Sequence, residues 1–294
     1  MAQADMTNPE RIIPPHQEGN TPLDRLVCYI KKTFGLEIDE RRRKMLASRL
    51  QNHIQELGYK SLDQYADYLM CKGGLGGELS ELVNATTTRT TSFFREERHF
   101  TFLKDVILPD LKKRYGTQAF SYRAWSAAGS TGQEAYTLAM VLDHQKQVQG
   151  LNMNYHITVS DISQKALNGT RRAVYSHESI APIPEEMRKR YLLVSKKGST
   201  PKYRIAPELR NRVELKVNNL NSRTYDEIQK GMDLIMLRNV LIYFDHATQH
   251  DVLRKVIKHL KPDGYLMTGH SESIPDYRDL GLKNVAPATF QIET

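Results

Sequence analysis

From residue 118 onward the chain alternates short apolar runs with stretches of helical periodicity, and one run, residues 232–237, is apolar at nearly every position. A strand with one wet face alternates apolar and polar side chains. A run without alternation needs cover on both faces, as an interior strand of a parallel sheet has. On this basis strands fall at 119–126, 155–160, 213–217, 232–237 and 265–268, the last entered through an Asp263-Gly264 turn, with helices at 132–142, 163–173 and 247–260. The rhythm predicts a doubly wound, Rossmann-like α/β domain. Residues 176–212 break it. Between two polar loops, Tyr191-Leu192-Leu193-Val194 and Tyr203-Arg204-Ile205 flank a Lys196-Lys197-Gly198-Ser199-Thr200-Pro201 turn, and the pattern reads as a small inserted β-subdomain.

The first ninety residues have only helical period. Leu23, Val27, Ile30 and Phe34 recur at helical spacing and Gly35 follows as a C-cap. Asp39 caps a second helix that turns Met45, Leu46, Leu50 and Ile54 inward and Arg41, Arg42, Arg43, Lys44 and Arg49 outward, until Gly58 ends it. Ser61 to Gln64 forms a capping box for a third helix carrying Tyr65 and Leu69. Gly73, Gly74, Gly76 and Gly77 make a turn before a fourth helix through Leu79 and Val83. The organisation expected is a flexible tail (1–20), a helical domain (21–84), a linker and connecting helix (85–117) and the α/β domain (118–294), with 176–212 as its insertion. The linker is almost all hydroxyl from Thr86 to Ser92 and then carries Phe93, Phe94 and Arg95. It reads either as a solvated connector or as a segment folded over a site; the paired phenylalanines favour the second. Phe100, Leu103, Ile107 and Leu111 follow on one helix face.

Composition narrows the function classes. No apolar run approaches the roughly 18 residues of a membrane span, and the first 20 residues hold no apolar signal-peptide core. Cys28 and Cys71 make no CxxC, and the histidines show no HExxH-type spacing, so neither a disulfide framework nor a metal is implied and the cytoplasm is the simplest compartment. The formal net charge is +8. Residues 1–90 hold twelve basic and twelve acidic side chains, so the excess lies in 91–294, at thirty against twenty-two. Such a surface suits nucleic acid, membrane or an acidic protein; no zinc-finger spacing or RNP-like aromatic motif singles out nucleic acid.

Polar residues with chemical potential follow the strands. The first strand leads into Ser126-Ala127-Ala128-Gly129-Ser130-Thr131-Gly132-Gln133-Glu134. Its glycines permit a tight turn and close approach to a ligand, but it has neither the lysine of a P-loop nor a full GxGxxG. The second strand ends at Asp161, which suits either two ribose hydroxyls or the cap of the next helix. The third leads to Asn218-Asn219-Leu220 and the fourth to Arg238-Asn239, with Tyr243 soon after. Open α/β sheets bind ligands at these carboxyl ends.

The segments Thr91-Ser92-Phe93-Phe94-Arg95-Glu96, the Gly129–Glu134 loop with Tyr136-Thr137-Leu138-Ala139-Met140, Asp161-Ile162, Asn219-Leu220, Arg238-Asn239-Val240-Leu241-Ile242-Tyr243-Phe244 and Gly269-His270-Ser271-Glu272 are specific in combination. With them the chain resembles the CheR-like chemotaxis receptor glutamate O-methyltransferases over nearly all of residues 22–292. The resemblance implies a Rossmann-like S-adenosylmethionine-dependent methyltransferase domain with an N-terminal all-helical domain and a small inserted β-subdomain. It implies methyl transfer from S-adenosyl-L-methionine to glutamate carboxylates of chemotaxis receptors, yielding glutamyl methyl esters and S-adenosyl-L-homocysteine. Arg95 and Tyr243 are then the catalytic candidates, Arg95 orienting the acceptor carboxylate and Tyr243 near the reactive methyl. The implied cofactor shell is Arg89, Thr91, Ser92, Ala127, Gly129, Gln133, Glu134 (amino-acid end), Asp161 (ribose), Asn219, Leu220 (adenine), Arg238 and Asn239.

Arg41, Arg42, Arg43 and Lys44 suit docking on the acidic helical cytoplasmic region of a methyl-accepting receptor. A monomer that neither binds nucleic acid nor inserts in membranes is expected. Three positions depart from the family pattern. Arg89 stands for asparagine. Ala128 stands for a glycine, which predicts a backbone there that avoids positive φ. Gln133 removes a negative charge near a sulfonium. The alternatives are a non-catalytic receptor-binding scaffold on the same fold and a nucleic-acid methyltransferase; the Asn/Asp-Pro-Pro-aromatic segment of the latter is missing.

Overall fold

The computed structural model describes residues 21–86, 90–195 and 200–293; the expected tail 1–20, Arg89 and most of the turn 196–201 lie outside them. The chain divides into two compact units. One is helical, with α1 (Pro22–Phe34), α2 (Glu40–Glu56), α3 (Leu62–Cys71) and α4 (Leu75–Thr86), joined by the segments 219–222 and 243–248. Leu26, Ile30, Leu46, Leu50, Ile54, Tyr65, Leu69 and Leu82 are among its buried side chains.

The helix ends follow from local chemistry. Gly35 takes φ 72° and returns its N–H to Lys31 O, closing α1. Asp39 accepts from Arg42 N–H at 2.7 Å and starts α2. A capping box absent from the sequence reading lies at Thr21 and Asp24, where each side chain reaches the other's backbone. The box expected at Ser61 is only half made: Ser61 Oγ accepts from Gln64 N–H, but the Gln64 side chain returns to Lys60 N–H instead. The glycine turn before α4 is shorter than expected, because Leu75 is buried and draws Gly76 and Gly77 into the helix. Each glycine costs about 1 kcal/mol there, which burial of an aliphatic side chain offsets.

The second unit opens with the connecting helix, which is not uniform. It runs as α5 (Arg98–Phe102), a π-helical turn (Leu103–Ile107) and α6 (Leu108–Tyr115). Pro109 lacks an N–H and crowds the carbonyl four residues back, so the ladder widens at that point. Then come β1 (Phe120–Ala127), α7 (Gln133–Val148), β2 (Met153–Asp161) and α8 (Gln164–Arg172). The inserted segment carries β3 (Val174–Tyr175), α9 (His177–Ile180), α10 (Glu185–Tyr191), β4 (Leu192–Val194), β5 (Tyr203–Ile205) and α11 (Pro207–Arg210). The expected hairpin of β4 and β5 gains β3 as a third strand, in the order β3-β5-β4. The chain ends with β6 (Val213–Val217), β7 (Met232–Leu237), α12 (His246–Ile257), β8 (Leu260–Thr268), β9 (Leu282–Ala286) and β10 (Thr289–Ile292).

The main sheet has the order β6-β2-β1-β7-β8-β10-β9. Its first five strands are parallel, and β10 is antiparallel to both neighbours. β9 and β10 are outside the sequence expectation. Leu260 is a second correction: it keeps helical spacing from Val256 but opens β8, and the expected turn at Asp263-Gly264 is an irregularity within that strand. Asp263 takes φ 64°, and a Cβ on Gly264 would lie 3.0 Å from Met232 O. Trp125 is fully buried in β1, donating its indole N–H to Ser160 Oγ at 2.9 Å, and Tyr225 and His259 pack against its ring.

Register decides what the sheet presents. Val217 lies opposite Asp161, Ala127 opposite both Ser160 and Leu237, and Leu237 opposite Thr268. The carboxyl ends of five parallel strands therefore stop in one row. Among the helix ends, Asp39→Ala removes an N-cap and leaves the Arg42 N–H without its acceptor. It is expected to lower stability by about 1 kcal/mol, seen as a shift of the urea midpoint at constant slope.

Candidate active site

The row of strand ends gathers the loop after β1, Asp161, Asn218 and Arg238 at one edge. After β1 the chain turns through three left-handed residues, Ala128 (φ 62°), Ser130 (φ 52°) and Gly132 (φ 95°). This corrects the expectation for Ala128: losing the glycine does not remove the left-handed geometry, because the neighbouring bonds impose it. Gly129 N–H donates to Ser160 O at 2.9 Å and Ser130 N–H to Asp161 Oδ2 at 3.0 Å. Gly129 is needed for space rather than φ, since a Cβ there would meet Val159 Cγ1 at 2.5 Å and Ser126 Oγ at 2.7 Å.

Asp161 also accepts from Ser163 N–H at 2.8 Å, while Ser163 itself caps α8. The carboxylate thus ties the loop to the start of α8, and its main-chain oxygen accepts from Asn218 N–H. Two buried polar atoms bonded to nothing among the described residues flank it, Ser130 Oγ and Asn218 Nδ2. Buried polar atoms are normally paired, so these two mark a place where a polar ligand fits. Neither was among the sequence candidates; the one available signal was their position at strand ends.

A second cluster lies at the end of β7. Arg238 is buried and donates from Nη1 to Glu134 Oε2 at 3.0 Å, from Nη2 to Glu96 Oε2 at 3.1 Å and to the carbonyl of Arg95, with its plane over the Phe100 ring. Glu134 also accepts from Ser126 Oγ at 2.7 Å. Burial pushes the Glu134 carboxyl above its ordinary range, with Arg238 and Ser126 opposing. Burial acts on Glu96 as well, but Arg238 and Asn239 outweigh it and hold that carboxyl below its ordinary range. Asn239 takes φ 56° and donates its amide to Glu96 Oε1 at 3.1 Å. Glu272, also buried, accepts from the N–H groups of Asn239, Leu241 and Gly269 at 2.7, 2.7 and 2.6 Å and so fixes the turn after β7. Arg238 and Asn239, expected in the cofactor shell, direct these side-chain bonds to protein partners. Glu96 and Glu272 stood inside recognisable motifs, but nothing in the sequence distinguished them as anchors.

The linker is held on both sides of Arg95. Phe93 is buried with its ring edge-on to Tyr175 at 4.9 Å, and Phe94 N–H donates to Thr137 Oγ1 at 3.1 Å. Phe94 (φ 54°) and Glu96 (φ 55°) are both left-handed. Arg95 between them is half-buried and donates to Thr90 O at 2.7 Å. Thr91 is half-buried, Ser92 exposed and Ala127 buried at the end of β1, while Gln133 accepts from Thr131 Oγ1 at 2.8 Å. Of the sequence-predicted residues, this unit brings together Arg95, Gly129, Glu134, Asp161, Arg238 and Asn239.

Asn219, Leu220 and Tyr243 group with the helical unit. There Asn219 Nδ2 donates to Thr33 O at 2.7 Å, Leu220 is buried, and the Tyr243 ring lies 5.1 Å under the Arg42 guanidinium. The expected basic face of α2 is split. Arg42 binds the carbonyls of Glu37 and Tyr243, and Arg43 pairs with Asp24 at 3.3 Å, so neither points away from its unit. Arg41 and Lys44 remain exposed.

Residues 89–288 match the family described as CheR methyltransferase, SAM binding domain, and residues 22–87 the family described as CheR methyltransferase, all-alpha domain. The chain belongs to the CheR methyltransferase family. It is 33% identical to a chemotaxis protein methyltransferase of Borreliella burgdorferi, covering 92% of this chain and 93% of the relative. It is 34% identical to one of Escherichia coli K12, covering 85% and 83%, and 33% identical to one of Salmonella typhimurium LT2, covering 88% and 86%. This CheR-family chain is thus a methyltransferase that uses S-adenosylmethionine. The residues at the strand ends fit that cofactor: Asp161 and the unpaired Ser130 Oγ and Asn218 Nδ2 offer hydrogen bonds, and the carboxylate of Glu134 lies at the start of α7. No described helix is long and apolar enough to cross a membrane.

Three outcomes follow from this geometry. Gly129→Ala is expected to weaken S-adenosylmethionine binding at least tenfold by titration calorimetry and to destabilise the fold by about 1–3 kcal/mol through overpacking. Arg238→Met strands Glu96 and Glu134 without their counter-charge and is expected to cost about 3–5 kcal/mol. Adding Glu134→Gln to it should recover part of that loss in urea unfolding, the sign of direct coupling.

The third concerns buried His99, whose pKa is lowered to about 4 by burial, with Arg238 adding to the effect. Its ordinary value is near 6.5, so the unfolded chain binds the proton more readily. The stability contributed by His99 is complete above pH 6.5 and is lost as pH falls toward 4, by roughly 3 kcal/mol in all. His99→Gln should flatten the stability-versus-pH curve in that window; an unchanged slope would refute the assignment.

Proposed function

We propose that this chain transfers the methyl group of S-adenosylmethionine to glutamate side-chain carboxylates in the cytoplasmic helical region of chemotaxis receptors, forming glutamyl methyl esters. The observation that carries the reading is the doubly anchored, strained segment 93–96. Left-handed non-glycine residues cost about 1–3 kcal/mol each and persist where the surroundings over-determine them. Here two of them flank Arg95, and the Phe93 ring on one side and the Glu96–Arg238 pair on the other hold the segment. A guanidinium placed this way is suited to grip the two oxygens of an acceptor carboxylate.

S-adenosylmethionine supplies a methyl carbon activated by a sulfonium. A glutamate carboxylate, with an ordinary pKa of about 4.3, is ionised at neutral pH and needs no general base. Opposite charges approach and cancel as carboxylate oxygen attacks carbon, so water favours the separated reactants over the transition state. The protein's contribution is therefore alignment and exclusion of water. Arg95 aligns the acceptor, and its bond to Thr90 O draws off part of its charge so that the nucleophile is not over-stabilised. The exposed Arg41 and Lys44 on α2 suit steering toward an acidic receptor surface, an effect that fades with salt. The protein is proposed to act as a cytoplasmic monomer.

The test is transfer of tritiated methyl from S-adenosylmethionine to receptor-containing membranes. Base-labile label on receptor is expected; base-stable label, or label in nucleic acid, would overturn the reading. In the same assay Arg95→Ala should lower kcat by about 100-fold, the scale of a misaligned reactant, while cofactor affinity changes less than about threefold. Unchanged turnover would remove Arg95 from the chemistry.

A further inference from the structure

His270 is far in the chain from Glu96 and His99, yet each of the three offers a ligand atom within 4.8 Å of the others'. Glu96 and His99 stand one helical turn apart at the start of the connecting helix, with Glu96 Oε2 and His99 Nδ1 at 3.6 Å. His270 follows β8; its N–H points to Glu96 Oε2 at 3.3 Å and its ring lies 4.9 Å from that of His99. His99 is 1% exposed, and among the described residues neither ring nitrogen makes a hydrogen bond of good geometry, the Ala288 backbone being the one hydrogen-bonding neighbour that acts on the ring. A buried imidazole without a partner is costly unless something is there to bind it. His270 is exposed, so the cluster opens to solvent on that side.

We propose that Glu96, His99 and His270 form a binding site for a zinc-type divalent cation. Two imidazoles and one carboxylate are a donor set for Zn2+ and neighbouring first-row ions rather than for Mg2+ or Ca2+, which prefer oxygen alone. Ligands about 2.0–2.1 Å from a tetrahedral ion lie about 3.3 Å apart. The Glu96–His99 separation is already close to that, and the exposed His270 side chain is free to move the remainder. Charge agrees: three carboxylates, Glu96, Glu134 and Glu272, surround Arg238 through direct bonds or the shared Asn239 and Gly269 turn. The cation takes up Glu96 Oε2, while Arg238 keeps Glu134 and the Arg95 carbonyl. It therefore clamps the linker carrying Arg95 to the turn after β8.

The full chain, freed of metal, is titrated with Co2+ as a spectroscopic probe and then with Zn2+. One equivalent of Co2+ should give the visible absorption of a four-coordinate site, and one equivalent of Zn2+ should abolish it. His270→Ala, at an exposed position that leaves the fold intact, should weaken Co2+ binding at least tenfold; His99→Gln should do the same. Absence of the band, or a band of equal affinity in His270→Ala, would overturn the site. Cofactor binding is not part of this readout, so the two readings fail independently.

Discussion

The buried guanidinium of Arg238 is the constraint around which the α/β unit's catalytic edge is arranged. It stands at the end of the central strand β7 and reaches three elements at once: Glu96 and the Arg95 carbonyl on the linker, and Glu134 at the start of α7. Taking such charges out of water costs about as much as their attraction returns, and apolar replacements often do as well or better for stability. The arrangement is therefore explained by direction more than by energy. A planar fork with fixed donors sets where its partners lie, and an apolar plug would leave the linker free to slide.

Strain at this edge has the same logic. Ala128, Ser130, Phe94, Glu96 and Asn239 all take left-handed φ without being glycine, and all lie beside the strand ends. Four of the five are held by named bonds: Ser130 by Asp161, Phe94 by Thr137, Glu96 by Arg238, Asn239 by Glu272. Elsewhere the unit shows the ordinary economy of a parallel sheet, with apolar strands covered on both faces. The departures from easy backbone geometry concentrate where side chains must be aimed, as expected of a site that works by alignment.

How much of this was legible in the sequence depended on range. β7 was readable to the residue because its apolar run begins and ends abruptly at polar neighbours, and β6 because Val213, Leu215 and Val217 alternate with Glu214 and Lys216. The caps at Gly35 and Asp39 were readable because a cap is a local bond. β9 and β10 were not, since β9 exposes Lys283, Asn284 and Val285 and β10 is only four residues long with no clear alternation. Leu260 misled because it satisfies a helical repeat while belonging to a strand. Arg95, Glu134 and Asp161 could be picked out as candidates, but the Arg238–Glu96 pair spans 142 residues and no local pattern encodes it. The same holds for the basic face of α2: periodicity places Arg42 and Arg43 beside Arg41 and Lys44, and only the fold reveals that two of the four are engaged at home.

The departure at Gln133 shows how such a network absorbs change. A glutamate there would add a second carboxylate directly before Glu134 in the chain, where burial already raises one. Gln133 keeps the bond that shapes the loop, accepting from the Thr131 hydroxyl through its amide oxygen, and omits the charge. The loop's geometry is thus preserved, and the carboxylate that remains at the start of α7 is Glu134, which burial pushes up and Arg238 and Ser126 oppose. Glu134 and the Arg95 main chain are consequently not independent features of this chain: both are held by one guanidinium, and a substitution that alters its pairing disturbs the start of α7 and the linker together.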